Sequence, residues 1–405
     1  MKLGLISCAL FVLAACGTSG DSPAPVAESD APPPGASSST SNDAPPATTA
    51  PAPTPAPAAD PTLHIKFLGV QGFLVEYGND AVLSAPLYTR PSMIEVTAGF
   101  VESDANGVDA HLTKSDLKNV RAVIAGHAHY DHLLDAPVVL DRASGATLYS
   151  NISARNILAA FAPDRAAKCA GASAPPFTIA RSRVVAMDDP AASVVDYTNC
   201  PTKKPEGAPT DGKWVSVPNS NVRVLAVCSE HPAQIGPYHY GEGDVTEEKC
   251  TAPDRMDDWK EGLTLAFLVD FLDPTTKQPV FRFFYQDAPS NGAIGHVPAS
   301  FLAAKRVDAA LLCIGSSNNV ANEPAGDIDA IGARYVIGGH WEDFFRSADD
   351  PPQPITFLDV GGWAKTARDA VAKTAPEPKD LMRNGQNSMT RALAADPNDT
   401  FEIAR

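Results

Sequence analysis

Gly126-His127-Ala128-His129-Tyr130-Asp131-His132 is the stretch on which the fold turns. It follows the apolar run 120–125, with Gly126 as the break. A strand exit with alternating histidines points two imidazoles the same way. Asp131 and His132 then fall on the first turn of an expected helix. Four ligands within six residues diverge from one tight turn, so they can serve two metal ions. Imidazole and carboxylate are the ligand types zinc accepts when a site must stay open to water. Three of the chain's nine histidines lie in this hexapeptide, which a scatter of unrelated surface histidines does not produce.

On either side, short apolar runs rich in β-branched and aromatic residues read as strands. They are 63–69, 73–77, 80–84, 120–125, 146–149, 183–187, 222–228, 263–271, 279–286, 308–314 and 334–338. Helical patterns fall at 132–143, 153–162, 298–305 and 362–373. Strands dominate early and alternate with helices later, which suits two packed sheets with helices outside. Residues 163–215 and 232–260 read as insertions rich in turn residues. Both flank the hexapeptide's neighbours in sequence and are candidate lids or plain surface elaboration.

The hexapeptide resembles the His-x-His-x-Asp-His signature of the metallo-β-lactamase fold superfamily. The resemblance runs over most of residues 63–345. Phe67-Leu68-Gly69-Val70-Gln71-Gly72-Phe73-Leu74-Val75-Glu76-Tyr77-Gly78 is similar to the opening hairpin of its phospholipase D-like and lactonase-like branch. His231 matches the third histidine motif, Asp287 the bridging aspartate, and Gly338-Gly339-His340-Trp341 the final histidine motif. The resemblance implies an α/β fold, a four-layer αβ/βα sandwich. It implies that His127, His129 and His231 hold one divalent ion, that Asp131, His132 and His340 hold a second, and that Asp287 bridges. Zinc is the expected metal, with manganese or iron as alternatives.

His231 competes with His239 in the same stretch; His231 is favoured because it closely follows a strand, where fixed ligands sit. His239 is then a pocket-lining candidate. Tyr130 and Trp341 are further candidates for substrate contact, each equally well explained by packing. His64, His111 and His296 read as structural or exposed, although His296 follows Asp287 closely enough to line the site. One position departs from the family pattern. An aspartate usually follows the third strand, and here Leu83-Ser84-Ala85-Pro86 puts Ala85 in its place. Groups of that kind orient metal ligands and are worth roughly 10- to 100-fold in affinity or activity. Ser84 is the nearest polar substitute.

The expected function is a dinuclear hydrolase in which a metal-bridging hydroxide attacks an ester, lactone or phosphodiester, with Asp131 orienting the water and shuttling its proton. His129 stands where diiron flavoproteins of the superfamily carry glutamate. Asp287 stands where β-lactamases carry cysteine or serine. Both chemistries are therefore disfavoured. The alternative is a non-catalytic metal-binding protein with a degenerate site, which Ala85 favours.

The ends and the composition set the context. Residues 1–15 read as a secretory signal, with Lys2 before a short apolar run. Leu13-Ala14-Ala15-Cys16 resembles the lipobox of bacterial lipoproteins, which implies lipidation at Cys16 and a membrane anchor. Residues 16–60 are Pro, Ala, Ser and Thr with few acids, a composition that cannot offset its ordering entropy. This stretch reads as a tether reaching at most roughly 140 Å. The hydrolase domain is expected over 61–405. Gly17 lacks the retention aspartate, which by resemblance points to the outer membrane and periplasm of a Gram-negative cell. The formal charge of −16 lowers the expectation of nucleic-acid binding and leaves a small-molecule or lipid substrate. Export permits disulfides. Proximity in sequence suggests Cys169 with Cys200 and Cys228 with Cys250, with Cys313 a buried free thiol.

Overall fold

The central strands of this chain are apolar on both faces, and that is why two sheets can stack with helices outside them. In the strand 265–272, Leu265, Phe267, Val269 and Phe271 enter one core, while Ala266 and Leu268 enter another. In the strand 120–124, Ala122 and Ile124 face the first of these cores and Val120 and Val123 face a third. Alternate side chains point to opposite faces of a strand, so double burial needs cover on both sides.

The computed structural model describes residues 62–405, apart from 86, 172, 193, 201–210, 235, 292–293, 296 and 375–380. The expected signal, lipidated Cys16, tether and His296 lie outside the described residues. Six strands come first: β1 (Thr62–Gly69), β2 (Gly72–Tyr77), β3 (Asp80–Ser84), β4 (Val120–Ile124), β5 (Thr147–Ser150) and β6 (Val184–Ala186). Six follow: β7 (Val215–Ser216), β8 (Val222–Cys228), β9 (Leu265–Leu272), β10 (Pro279–Tyr285), β11 (Ala309–Cys313) and β12 (Tyr335–Gly339). The chain ends in β13 (Met382–Arg383), β14 (Gln386–Asn387), β15 (Ala392–Ala394) and β16 (Thr400–Ala404). One sheet has the order β14-β13-β16-β1-β2-β3-β4-β5-β6 and the other β15-β12-β11-β10-β9-β8-β7.

One core lies between the sheets, one between the first sheet and its helices, and one behind the second sheet. The first sheet is covered by α1 (Met93–Ala98), α2 (Ala105–His111), α3 (Lys114–Leu117), α4 (Tyr130–Leu133), α5 (Ala136–Arg142) and α6 (Ile152–Leu158), with α7 (Arg165–Lys168) beyond. The second carries α8 (Ala299–Ala304), α9 (Ala325–Ile331) and α10 (Val360–Thr374). This is the four-layer αβ/βα sandwich expected, and it is consistent with the metallo-β-lactamase fold. Among the described residues no helix is long and apolar enough to cross a membrane.

Two expectations are corrected. The helix read at 132–143 is two helices, because Pro137 opens the first turn of α5 and the Asp135 carboxylate before it turns away to accept from the Tyr88 and Thr89 N–H groups. The disulfides are Cys169–Cys250 and Cys200–Cys228, not the pairs adjacent in sequence. The physical reason is the path of the first insertion. Asp196 lies alongside β8, its carbonyl accepting from the Cys228 N–H, which brings Cys200 back to the strand end. Cys250 is thereby left to join the two insertions at Cys169. Cys313 is buried and free, as expected.

Candidate metal centre

The seven candidate ligands come together at one edge of the sandwich. β8 and β10 both run antiparallel to β9, so they point the same way, and β11 and β12 continue parallel to β10. The C-terminal ends of β8, β10 and β12 therefore share one rim, and His231, Asp287 and His340 lie just beyond them. β4 delivers its turn to the same rim: Leu265 N–H donates to the Gly126 carbonyl and Ala128 N–H to that of Glu261.

Gly126 is required by this contact. A Cβ there would lie 2.2 Å from Asp287 Oδ1 and 2.4 Å from the Leu265 carbonyl oxygen. With no side chain, Gly126 donates its N–H to Asp287 Oδ2 at 2.5 Å, and His127 Nδ1 stands 2.9 Å from Asp287 Oδ1. The Tyr285 hydroxyl donates to Asp287 Oδ2 at 3.4 Å. A carboxylate has about four lone-pair sites, so these partners leave room for a cation.

The ligand atoms fall into two groups. Those of His127, His129 and His231 lie within 4.8 Å of one another, as do those of Asp131, His132 and His340. The rings of His127 and His132, one from each group, are 4.5 Å apart. Asp131 Oδ2 is 3.2 Å from His340 Nε2 and 3.4 Å from His132 Nε2. His127, His129, His132, His340 and Asp287 are buried.

Burial shapes the charge of the centre. Desolvation, reinforced by His231, pushes His127 far below an ordinary imidazole, and desolvation with His127 and His231 does the same to His129. Burial lowers His231 too and pushes His132 down to about 3. Burial alone would raise Asp131, but His132, His340 and His129 outweigh it and hold that carboxyl well below the ordinary range. Burial raises Asp287 against the pull of His132, the Gly126 N–H and His231. These four histidines are neutral near pH 7 and keep a lone pair for a cation. His127 Nε2, His132 Nδ1 and His340 Nδ1 are buried with no hydrogen-bond partner among the described residues. Neutral imidazoles with orphaned nitrogens, interleaved with two carboxylates, fit divalent metal ions.

Supports that sequence reasoning missed hold the distant ligands. The β1–β2 turn is stitched to the exit of β12: the Val70 carbonyl accepts from the His340 N–H, and the Val70 N–H donates to Glu342. Buried Glu342 also pairs with Arg90 Nη2 at 3.2 Å. Gly241, in the second insertion at φ +65°, packs on His129, where a Cβ would lie 2.9 Å from Nε2. A glycine between Tyr240 and Glu242 in a polar stretch carries no local signal of such a contact.

The other candidates are dispersed. His239 is exposed and lines a cavity of about 1050 Å³ together with His231. Tyr130 is buried in the core between the first sheet and its helices. Trp341 is buried behind the second sheet, its Nε1 donating to the Ala395 carbonyl at 2.6 Å. Neither lines that cavity. His64 is exposed, and His111 stacks on Tyr88 and meets Asp349. Ala85 is buried. Ser84 Oγ donates to the Gln71 carbonyl and accepts from the Phe73 N–H, both at 2.7 Å, so it closes the β1–β2 turn.

No family model and no curated protein matches the chain. By structure it is similar to Igni18, a metallo hydrolase from Ignicoccus hospitalis, at 12% identity over 85% of this chain and 99% of that one, with a TM-score of 0.45. It is similar to the metallo-β-lactamase fold protein YhfI from Bacillus subtilis at 11% identity over 85% and 100%, with a TM-score of 0.39. It is also similar to an isothiocyanate hydrolase from Delia radicum gut bacteria at 10% identity over 84% and 100%, with a TM-score of 0.41.

Proposed function

We propose that this chain is a metal-dependent hydrolase of the metallo-β-lactamase fold that takes two divalent ions and cleaves an ester, lactone or phosphodiester. The observation that carries this reading is the meeting of two ligand triads, with Asp287 against His127 of the first and within electrostatic reach of His132 of the second. His127, His129 and His231 would hold one ion, Asp131, His132 and His340 the other, and Asp287 would bridge. When bound, such ions act as Lewis acids on a substrate oxygen and make water nucleophilic at neutral pH.

The chain's own residues supply position. Asp131 Oδ2 is taken up by His340 and His132, so Oδ1 is the atom that accepts a hydrogen bond from the attacking water. Asp287, tied to Gly126 and His127, holds the two triads in register. The cavity beside His231 admits the substrate, with His239 on its wall. The ligand set suits zinc and also accommodates manganese or iron.

The test is metal analysis of the purified protein, with turnover measured on ester, lactone and phosphodiester panels. About two ions per chain with turnover on any panel supports the hydrolase. Ions without turnover on all panels favour a non-catalytic metal-binding protein instead, a reading that buried Ala85 and the committed Ser84 hydroxyl support. The same proposal places the protein in the cell envelope, anchored through lipidated Cys16 and the tether 16–60, without a nucleic-acid partner. Incorporation of labelled fatty acid that persists in Cys16→Ala would overturn the anchor.

A further inference from the structure

The cavity beside the metal centre has a one-sided chemistry. Its wall carries two carboxylates, Glu230 next to the candidate ligand His231 and Asp329 on α9, and among its described lining residues there is no Lys or Arg. Two of the three asparagines on the wall have their amides engaged. Asn291 Nδ2 donates to Glu230 Oε1 at 2.8 Å, and Asn319 Nδ2 donates to the Ala233 carbonyl at 2.7 Å. Glu230 is half-buried and Asp329 exposed at the rim. Two further acids, Glu323 and Asp327, lie beside the lining residue Gly326, but burial raises both, Asp327 to about 7. Glu230 and Asp329 are the carboxylates on the cavity wall itself. An anionic group entering here meets the like charge of these two carboxylates. A cationic group brings donors to acceptors that need them.

We infer that the cavity receives a substrate carrying a positively charged group, an ammonium or its alkylated form, with Glu230 and Asp329 as the residues that select it. The inference rests on the hydrolase reading only for the word substrate; the binding preference stands on the cavity.

The experiment uses the metal-loaded full chain and three matched acetate esters: that of choline, that of its uncharged carbon isostere, and that of a hydroxy acid of the same length. The corresponding acetamides, which resist cleavage, are titrated calorimetrically. The cationic acetamide is expected to bind about tenfold more tightly than the anionic one, since two partly exposed carboxylates attract one and repel the other. In Asp329→Asn the gap narrows, and in the double variant Glu230→Gln/Asp329→Asn it closes. Asp329 is exposed, so its variant is expected to fold. Equal affinities in the unsubstituted protein, tighter binding of the anionic acetamide, or no saturable binding of the cationic one overturns the inference. Failure of all three esters to turn over, with the acetamide order intact, overturns the hydrolase reading and leaves the cavity's preference standing.

Discussion

The turn at residues 126–132 and the strand ends that carry His231, Asp287 and His340 build one centre by different means. The turn places four candidate ligands through local geometry: a strand exit, a glycine break and the first turn of α4. The strand ends place one candidate each, and each needs a partner distant in sequence. His340 is fixed by the β1–β2 turn and Asp287 by the Gly126 N–H. His231 follows β8, whose last residue is tied to the first insertion by Cys200–Cys228. The local half is set by chain stiffness and the distant half by packing. A defect far from the candidate metal site therefore reaches His231, Asp287 and His340 directly, and reaches the turn chiefly through the contact of Gly241 with His129.

The largest expected effect tests the shared requirement for both halves. His127→Ala removes a ligand and also the 2.9 Å partner of Asp287. Loss of a group that merely orients a ligand already costs roughly 10- to 100-fold, so turnover should fall by more than about 100-fold, with roughly one ion lost on metal analysis. Retention of activity and metal would show that Asp287 and the remaining ligands suffice. Next in size is Gly126→Ala, at the junction of the halves. The Leu265 carbonyl is backbone in a paired strand and cannot move aside cheaply. Overpacking of this kind costs about 1–3 kcal/mol, read by denaturant unfolding. Activity should drop about 10- to 100-fold because Asp287 must shift. A variant of unchanged stability would mean the two halves are not in contact as described.

The cysteine double variant Cys169→Ser/Cys250→Ser has a smaller effect on turnover and acts on stability. The bridge spans 81 residues. Constraint of the unfolded chain by a loop of that size is worth about 4 kcal/mol in the entropy model. Thermal unfolding should shift down markedly, while activity at low temperature falls only a few-fold through loosening of Gly241 on His129. The same loss produced by Cys228→Ser with Cys169–Cys250 intact would show that the strand end, and not the insertion, is the weaker support.

Legibility in the sequence follows the same division. The eleven strands read from apolar runs all have counterparts, because burial on both faces makes such runs continuous. The hexapeptide offered four candidate ligands through spacing alone. His231, Asp287 and His340 rested on serial order in a resemblance, since their neighbours in space are remote in the chain. The helices α1 to α3, between β3 and β4, were missed: each is short and begins at a cap such as Ser92, Asp104 or Thr113, with a single buried residue apiece. The strands β13, β14 and β16, on one flank of the first sheet, were missed because they are short or half exposed and gain stability from pairing with β1 and with each other. Disulfide pairing failed because it depends on where Asp196 runs, and no local pattern records that path.

The smallest effect sharpens the comparison most finely, because it sets two histidines of one stretch against each other. His231 shares a ligand group with His127 and His129, its ring centroid 4.7 Å from that of His127. His239 is exposed on the wall of the cavity. His239→Ala should therefore leave metal content unchanged and raise KM by less than about tenfold, the scale of one solvent-exposed contact. His231→Ala should lower metal content and turnover together. The two variants are read by the same metal analysis and the same rate measurement, so the contrast is internal. Loss of an ion in His239→Ala, with retention in His231→Ala, would reverse the assignment. It would place the third ligand of the first group in the insertion, supported by Cys169–Cys250 and no longer by the end of β8.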